Sequence, residues 1–140
     1  IQVQHMPQGV DAPDPTGIDP QYRIHSDVLP REGEVVIGKH HANAFRDTEL
    51  LATLRSLGVT RLVICGMQTH MCVEAATRAA ADLGFEVTVV RDACATRPLT
   101  ANGVEVPAAH VHAAALAAMA SSYATVVSTA ELVSRGLPVD

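Results

Sequence analysis

The sequence predicts an α/β protein with a doubly wound, mainly parallel sheet and helices on both faces. Short β-branched runs alternate with Ala- and Leu-rich helical segments along the 140 residues. Aromatic residues make up only 3% and Trp is absent, so the core must consist of Val, Leu, Ile and Ala, as is typical of helices packed on a parallel sheet. A hydrophobic content of 48% excludes a disordered chain. We expect one domain over residues 1–140.

Two strands and one helix are expected in the first half of the chain: residues 1–4, 34–38 and 47–57. The β-branched run of 34–38 is typical of a buried strand. Leu50, Leu54 and Leu57 recur at helical spacing, and Gly58 suits the position after the helix. Prolines, glycines and aspartates predict loops over 7–20 and 27–33.

The second half alternates strands with helices. The expected strands are 61–65, 86–90 (ending at Arg91 and Asp92) and 125–128. The expected helices are 73–83, 107–120 and a short last one capped by Thr129. Gly84 ends the first of these helices and Pro107 begins the second. Residues 96–106 are expected to form a loop.

Charge and composition exclude several function classes. The formal net charge is −5 and no Lys/Arg cluster is present, which argues against nucleic acid and anionic membranes as partners. No apolar run approaches the roughly 20 residues that span a bilayer. The three cysteines show no CxxC spacing, so we expect no disulfide framework and a reduced, cytoplasmic setting.

Cys72 lies where a strand pattern gives way to a helical one. Val63 to Cys65 is apolar, Gly66 begins a short polar turn, and a helix opens at about residues 70–73. The helix macrodipole and the free N–H groups of a first turn favour a thiolate, and the same N–H groups can form an oxyanion hole. Cys65 is expected to be a structural cysteine inside the strand. A buried, inert Cys72 is the alternative to a catalytic one.

Lys39 follows directly on strand 34–38 and is expected at the same sheet edge as Cys72, since ligands of parallel sheets bind beyond the carboxyl ends of the strands. A lysine near a cysteine stabilises the thiolate. Most lysines after a strand are merely solvated, so Lys39 alone is a weaker signal than Cys72.

Two segments resemble motifs of the isochorismatase-like cysteine hydrolases, the relatives of nicotinamidase and N-carbamoylsarcosine amidohydrolase. Residues 36–45, VIGKHHANAF, resemble the lysine motif, and residues 65–73, CGMQTHMCV, resemble the nucleophile motif. The resemblance implies Cys72 as nucleophile and Lys39 as the triad lysine. It also implies a cis peptide between Met67 and Gln68, and an oxyanion hole made by the N–H groups of Gln68 and Cys72.

The resemblance further implies that Asn43, Ala44 and Phe45 line the substrate pocket. The family's third triad member is an aspartate at the end of its first strand, and no matching segment is present in this sequence. The first strand would lie centrally in the sheet, where its removal leaves unpaired backbone groups. We therefore expect the domain to be N-terminally incomplete as given: either the strand with its general base lies upstream, or another segment fills the gap in the sheet.

The seven histidines do not predict a metal site. His40 and His41 are adjacent, and His110 and His112 are two apart on a helix, so neither pair places two ligands on one face. We expect no metal and no cofactor. His5, at a strand end, and His70 are candidate substrate-binding residues. The alternatives are that His5 contacts only the residues that touch the substrate, and that His70 is an ordinary exposed histidine at a helix start.

The resemblance predicts a hydrolase of a small amide or carbamoyl compound that forms an acyl-enzyme on Cys72. Vinyl-ether hydrolysis of an isochorismate-like substrate is one alternative, and an inactive or truncated relative that only binds partners is another. Cys72 argues for amide chemistry, since the vinyl-ether hydrolases of the family often lack the cysteine. We expect a small-molecule substrate and, from the Ala-rich helices, a homo-oligomer, either a dimer or a tetramer.

Overall fold

The computed structural model describes residues 1–10, 12–16 and 19–136. The chain forms two compact units, Ile1–Leu57 and Gly58–Asp140, and each is described by itself. The prediction of one domain over 1–140 stays a prediction. The predicted loop 7–20 includes residues 11, 17 and 18, which lie outside the described residues.

Among its described residues, the first unit contains a parallel pair of strands, a 3₁₀ helix (Ser26–Val28) and an α-helix. Strand β1 (Gln2–His5) pairs with β2 (Val36–Lys39), and His5 is opposite Lys39 at the carboxyl ends. Helix α1 (Leu50–Ser56) buries Leu50 and Leu54, which the leucine spacing predicts. The helix begins three residues later than predicted. Asp47 has a φ of 54°, a left-handed conformation that a right-handed helix does not accommodate.

The second unit contains a three-stranded parallel sheet in the order β3–β4–β7: β3 (Arg61–Met67), β4 (Glu86–Ala95) and β7 (Thr125–Val127). Helices α2 (Glu74–Asp82) and α3 (Ala108–Ala120) connect these strands. Val89 of β4, Ala80 of α2 and Met119 of α3 are completely buried. The parallel pairing and the alternation of strands with helices confirm the predicted α/β class.

The prediction that the fourth strand ends at Arg91 and Asp92 is wrong. Strand β4 continues to Ala95, and Cys94 pairs with Gly66 after a register shift in β3. Arg91 and Asp92 are exposed, and they lie within the register shift between the Ile64–Val89 and Gly66–Cys94 pairs, beyond which β4 pairs with β3 again. Cys94 therefore lies within a strand and does not follow its end.

The predicted loop over 96–106 contains a hairpin. Strand β5 (Leu99–Ala101) pairs antiparallel with β6 (Val104–Val106). Asn102 and Gly103 connect the strands with φ values of 51° and 76°. Positive φ at both positions is the requirement of a type I′ turn, and Asn-Gly is its most frequent sequence.

The prediction that Thr129 caps the last helix is wrong: Thr129 is the first residue of helix α4 (Thr129–Arg135), and Ser128 is its cap. The Ser128 hydroxyl accepts from the N–H of Glu131, and the Glu131 carboxylate accepts from the N–H of Ser128 at 2.6 Å. This reciprocal capping box satisfies two N–H groups at the start of the helix. Within the described ranges, the structure contains no helix long and apolar enough to cross a membrane.

Candidate active site

Lys39 ends β2 with its side chain buried. The residue is 5% exposed. Its Nζ donates to the carbonyl oxygen of His41 at 2.8 Å and lies 3.3 Å from Nδ1 of His5 on the neighbouring strand. A buried ammonium is costly unless it is hydrogen-bonded, and these two acceptors help to meet that requirement. The sequence-predicted residues Lys39 and His5 are thus brought together in the first unit.

The His5 imidazole is held in a polar and cationic environment. Burial of part of the ring lowers its pKa below the ordinary value, and the positive charges of Lys39, His40 and His41 lower this pKa further. The ring stacks on Tyr22 at 6.1 Å between centroids. Burial and the neighbouring charges both favour a neutral His5 imidazole near pH 7.

The segment after β2 is ordered by local hydrogen bonds. The Asn43 side-chain oxygen accepts from the Phe45 N–H at 2.9 Å, which closes an Asx turn around the buried Ala44. Nε2 of His41 lies 3.2 Å from the Asp47 carboxylate. Asn43 and Phe45 are both partly exposed. Their role in lining a substrate pocket stays a prediction.

In the second unit, Gln68, His70 and Cys72 lie on one turn. The peptide bond between Met67 and Gln68 is cis, the geometry that the resemblance implies at this position. Residues Thr69–Val73 then form a single π-helical turn that leads into α2. The Gln68 carbonyl oxygen accepts from the N–H groups of Met71 and Val73 at 3.0 and 3.2 Å. Cys72 is the next-to-last residue of this turn and is partly buried. We call residues 68–73 the nucleophile turn.

Consecutive side chains of the nucleophile turn hydrogen-bond to different elements. The completely buried hydroxyl of Thr69 is 2.9 Å from Nδ1 of His112 on α3. Nδ1 of His70 is 2.5 Å from the hydroxyl of Thr96, which follows β4. His70 is therefore partly buried and hydrogen-bonded, unlike an ordinary exposed histidine at a helix start.

The sequence did not single out His112 or Thr96 as neighbours of this turn. The sequence signal for His112 was its helical spacing to two apolar residues, Ala115 and Met119, three and seven residues further on. Both are buried in the structure. This spacing places His112 on the inward face of α3. No pattern within residues 96–106 indicates Thr96.

The other two cysteines differ from Cys72 in their surroundings. Cys65 lies within β3 as predicted, and its side chain is exposed; its structural role stays a prediction. Side chains alternate across a strand, and Cys65 lies on the same exposed side as Val63 and Met67. Burial raises the pKa of the Cys94 thiol above its ordinary value, against an opposing hydrogen bond with the Gly66 backbone. Cys94 is therefore poorly suited to act as a thiolate at neutral pH.

A metal site would require several ligating side chains directed at one point. Among the described residues, no group of three or more His, Cys, Asp and Glu side chains is arranged to hold a metal ion. His40, one of the two adjacent histidines, makes a different contact: its Nδ1 donates to the Met6 carbonyl oxygen at 3.3 Å.

Comparison with known proteins identifies the family. The isochorismatase domain model matches residues 2–131. The isochorismatase family protein YddQ of Bacillus subtilis (strain 168) is 44% identical over 133 residues, which cover 92% of this chain and 72% of YddQ. Maleamate amidohydrolase of Pseudomonas putida is 39% identical over 70 residues, which cover 50% of this chain and 33% of that protein.

The fold is similar to that of solved structures. An isochorismatase hydrolase from Oleispira antarctica superposes with a TM-score of 0.84 at 46% identity, over 94% of this chain and 70% of that one. The family model spans nearly the whole chain, and both the sequence and the fold relatives carry the same family name. The chain therefore belongs to the isochorismatase family.

Proposed function

We propose that this protein hydrolyses the C–N bond of a small amide or carbamoyl compound, with Cys72 as the nucleophile. The observation that carries the proposal is the place of Cys72 on the turn between the carboxyl end of β3 and the start of α2. Ligands of parallel sheets bind beyond the carboxyl ends of the strands, so a thiol at such a junction is placed where a substrate would bind. Membership of the isochorismatase family and similarity to a maleamate amidohydrolase support amide chemistry.

The reaction follows from nucleophilic acyl transfer. A general base, an aspartate in the resemblance, takes the proton of the Cys72 thiol. The sulfur attacks the carbonyl carbon, the C–N bond breaks, and the same proton leaves with the nitrogen as amine or ammonia. Water then attacks the thioester, which releases the carboxylic acid and restores the thiol.

The resemblance assigns two further roles to this chain. Lys39 is the triad lysine, and its ammonium stabilises negative charge in the reaction. The backbone N–H groups of Gln68 and Cys72 donate to the oxyanion that forms on the carbonyl oxygen. Asn43, Phe45, His5 and His70 are proposed to contact the substrate.

Substitution of Cys72 tests the proposal. Ammonia release from maleamate should fall by at least about 10³-fold in Cys72→Ala and in Cys72→Ser, because removal of a nucleophile removes the covalent route. Cys65→Ala and Cys94→Ala are the matched controls and should keep the activity. Acid quenching during turnover should trap the acyl group on Cys72, identified by peptide mass spectrometry.

Two results would contradict the proposed chemistry. Full hydrolysis by Cys72→Ala would exclude the cysteine mechanism. The absence of an amide-hydrolysing activity across maleamate and other small amides and carbamoyl compounds would exclude the substrate class. The expectation of a homo-oligomer is a separate proposal, which sedimentation equilibrium tests directly.

A further inference from the structure

Thr69 opens the nucleophile turn and is 0% exposed. It is a polar residue in a position where solvent cannot satisfy its hydroxyl. A buried hydroxyl without a partner is costly, and the partner here is Nδ1 of His112 at 2.9 Å. Forty-three residues separate the two in sequence. The hydrogen bond therefore ties the turn that carries Cys72 to a different helix.

Backbone bonds from the N–H groups of Met71, Val73 and Glu74 help to hold this turn. The N–H groups of Met71 and Val73 both bond to one acceptor, the Gln68 carbonyl oxygen. A π-helical turn has a longer repeat than an α-helix and occurs mostly as a single turn, frequently at functional sites. Side-chain anchors are consequently well placed to determine where the turn directs its residues.

His112 is suited to be such an anchor. It lies on the same face of α3 as Ala115 and Met119, which are buried, and it is partly buried itself. Helix α3 packs against β7 and α2 as well as against the turn, so the position of the imidazole does not depend on the turn alone. The neighbouring bond between His70 and Thr96 provides a second anchor on another element.

We propose that His112 is a positioning residue for the nucleophile: through the Thr69 hydroxyl it holds the nucleophile turn so that the Cys72 thiol lies in its reactive orientation. His112 does not touch the substrate or take part in proton transfer. The inference rests on the proposed function, since it gives His112 the role of positioning the Cys72 nucleophile.

The reactivity of the three thiols within one protein tests this proposal. The rate of alkylation by iodoacetamide is measured for each cysteine by peptide mass spectrometry near neutral pH. In Thr69→Val and in His112→Leu, the rate at Cys72 should fall about three- to tenfold, the effect of one lost hydrogen bond. The rates at Cys65 and Cys94 report the integrity of the same unit and should not change.

Conservative variants separate positioning from folding. Thr69→Ser keeps the hydroxyl, and His112→Asn places an amide close to the position of Nδ1, so both should keep the rate at Cys72 within about threefold of the wild type. His112→Gln places its amide nearer to the position of Nε2, so in this variant the alkylation rate at Cys72 should fall as it does in His112→Leu. The comparison of His112→Asn with His112→Gln decides the matter even if Thr69→Val fails to fold. His110→Leu is the control for an exposed histidine on the same helix.

The outcomes distinguish the inference from the proposed function. An unchanged rate at Cys72 in His112→Leu, or equal changes at all three cysteines, would overturn the positioning role. The same variants are also assayed with maleamate, where kcat should fall and KM should stay, because His112 does not contact the substrate. Hydrolysis that persists in Cys72→Ala would overturn the proposed function, while the alkylation rates would still decide the effect of His112 on the turn.

Discussion

The Lys39 ammonium determines which nitrogen of His5 carries the hydrogen. Nζ of Lys39 lies 3.3 Å from Nδ1 of His5, and the two residues are opposite one another on β1 and β2. An ammonium can only donate, so Nδ1 is the acceptor and the hydrogen of the neutral ring lies on Nε2. The same lysine that the resemblance assigns to catalysis thus fixes the tautomer of the neighbouring histidine.

The first prediction concerns this tautomer. Two-dimensional ¹H–¹⁵N NMR of the imidazole rings near neutral pH should show His5 with hydrogen on Nε2 and none on Nδ1, with the signal assigned by its loss in His5→Gln. In Lys39→Met the donor is gone, and both tautomers should appear. A His5 ring with hydrogen on Nδ1 in the wild type would contradict the assigned hydrogen bond.

The second prediction concerns stability and pH. The pKa of His5 is lowered in the folded protein from 6.5, so the unfolded chain binds the proton first as the pH falls. The stabilising contribution is therefore present above pH 6.5 and is lost as the pH falls through the folded pKa. Urea unfolding should show a weaker pH dependence of the unfolding free energy below pH 6.5 in His5→Gln than in the wild type. His110→Gln serves as the control at an exposed histidine, and equal slopes in wild type and His5→Gln would refute the expectation.

The third prediction concerns the cap of α4. Hydrogen bonds from Arg91 and Ser128 lower the pKa of the Glu131 carboxyl to about 2. A carboxylate with a lowered pKa stabilises the fold above its unfolded pKa of 4.5, and this stabilisation is lost as the pH falls towards 2. Glu131→Gln should lower the unfolding free energy at neutral pH and flatten its pH dependence between these two values. Glu105→Gln, an exposed change in β6, is the control. If the unfolding free energies of Glu131→Gln and the wild type fell equally as the pH is lowered, the cap would not contribute to stability.

The fourth prediction concerns the turn between β5 and β6. Gly103 has a φ of 76°, and apart from Gly103 itself and its two chain neighbours no heavy atom of the described residues lies within 4 Å of the position that a Cβ would take. Gly103→Ala should therefore cost only the backbone penalty of a left-handed residue, about 1–2 kcal/mol. Asn102→Gly, at a φ of 51°, should be tolerated. Hydrogen exchange of the hairpin amides measures both effects, and equal protection in the two variants would argue against the type I′ turn.

Much of the fold was predictable because its determinants are local. The leucine spacing of 47–57, the β-branched run of 34–38 and the alternation of such segments appear within short windows of sequence. Helix α1 lies within the first segment, and β2 overlaps the second and extends one residue beyond it, to Lys39. The hairpin over 99–106 was predictable too, since Asn102-Gly103 is a strong turn signal. The extension of β4 to Ala95 was not, because it depends on pairing with Gly66 of another strand.

By itself the sequence determined the α/β class, the family resemblance and the position of Cys72 at a strand–helix junction, since hydrophobic periodicity and motif spacing are written in consecutive residues. The tertiary structure alone decided that Thr69 bonds to His112, that Lys39 is buried beside His5, and that Cys65 is exposed. These features join residues that are distant in sequence or depend on how much of a strand its neighbours cover. Burial and hydrogen-bond partners of this kind arise only when the elements pack, which is why local pattern could not supply them.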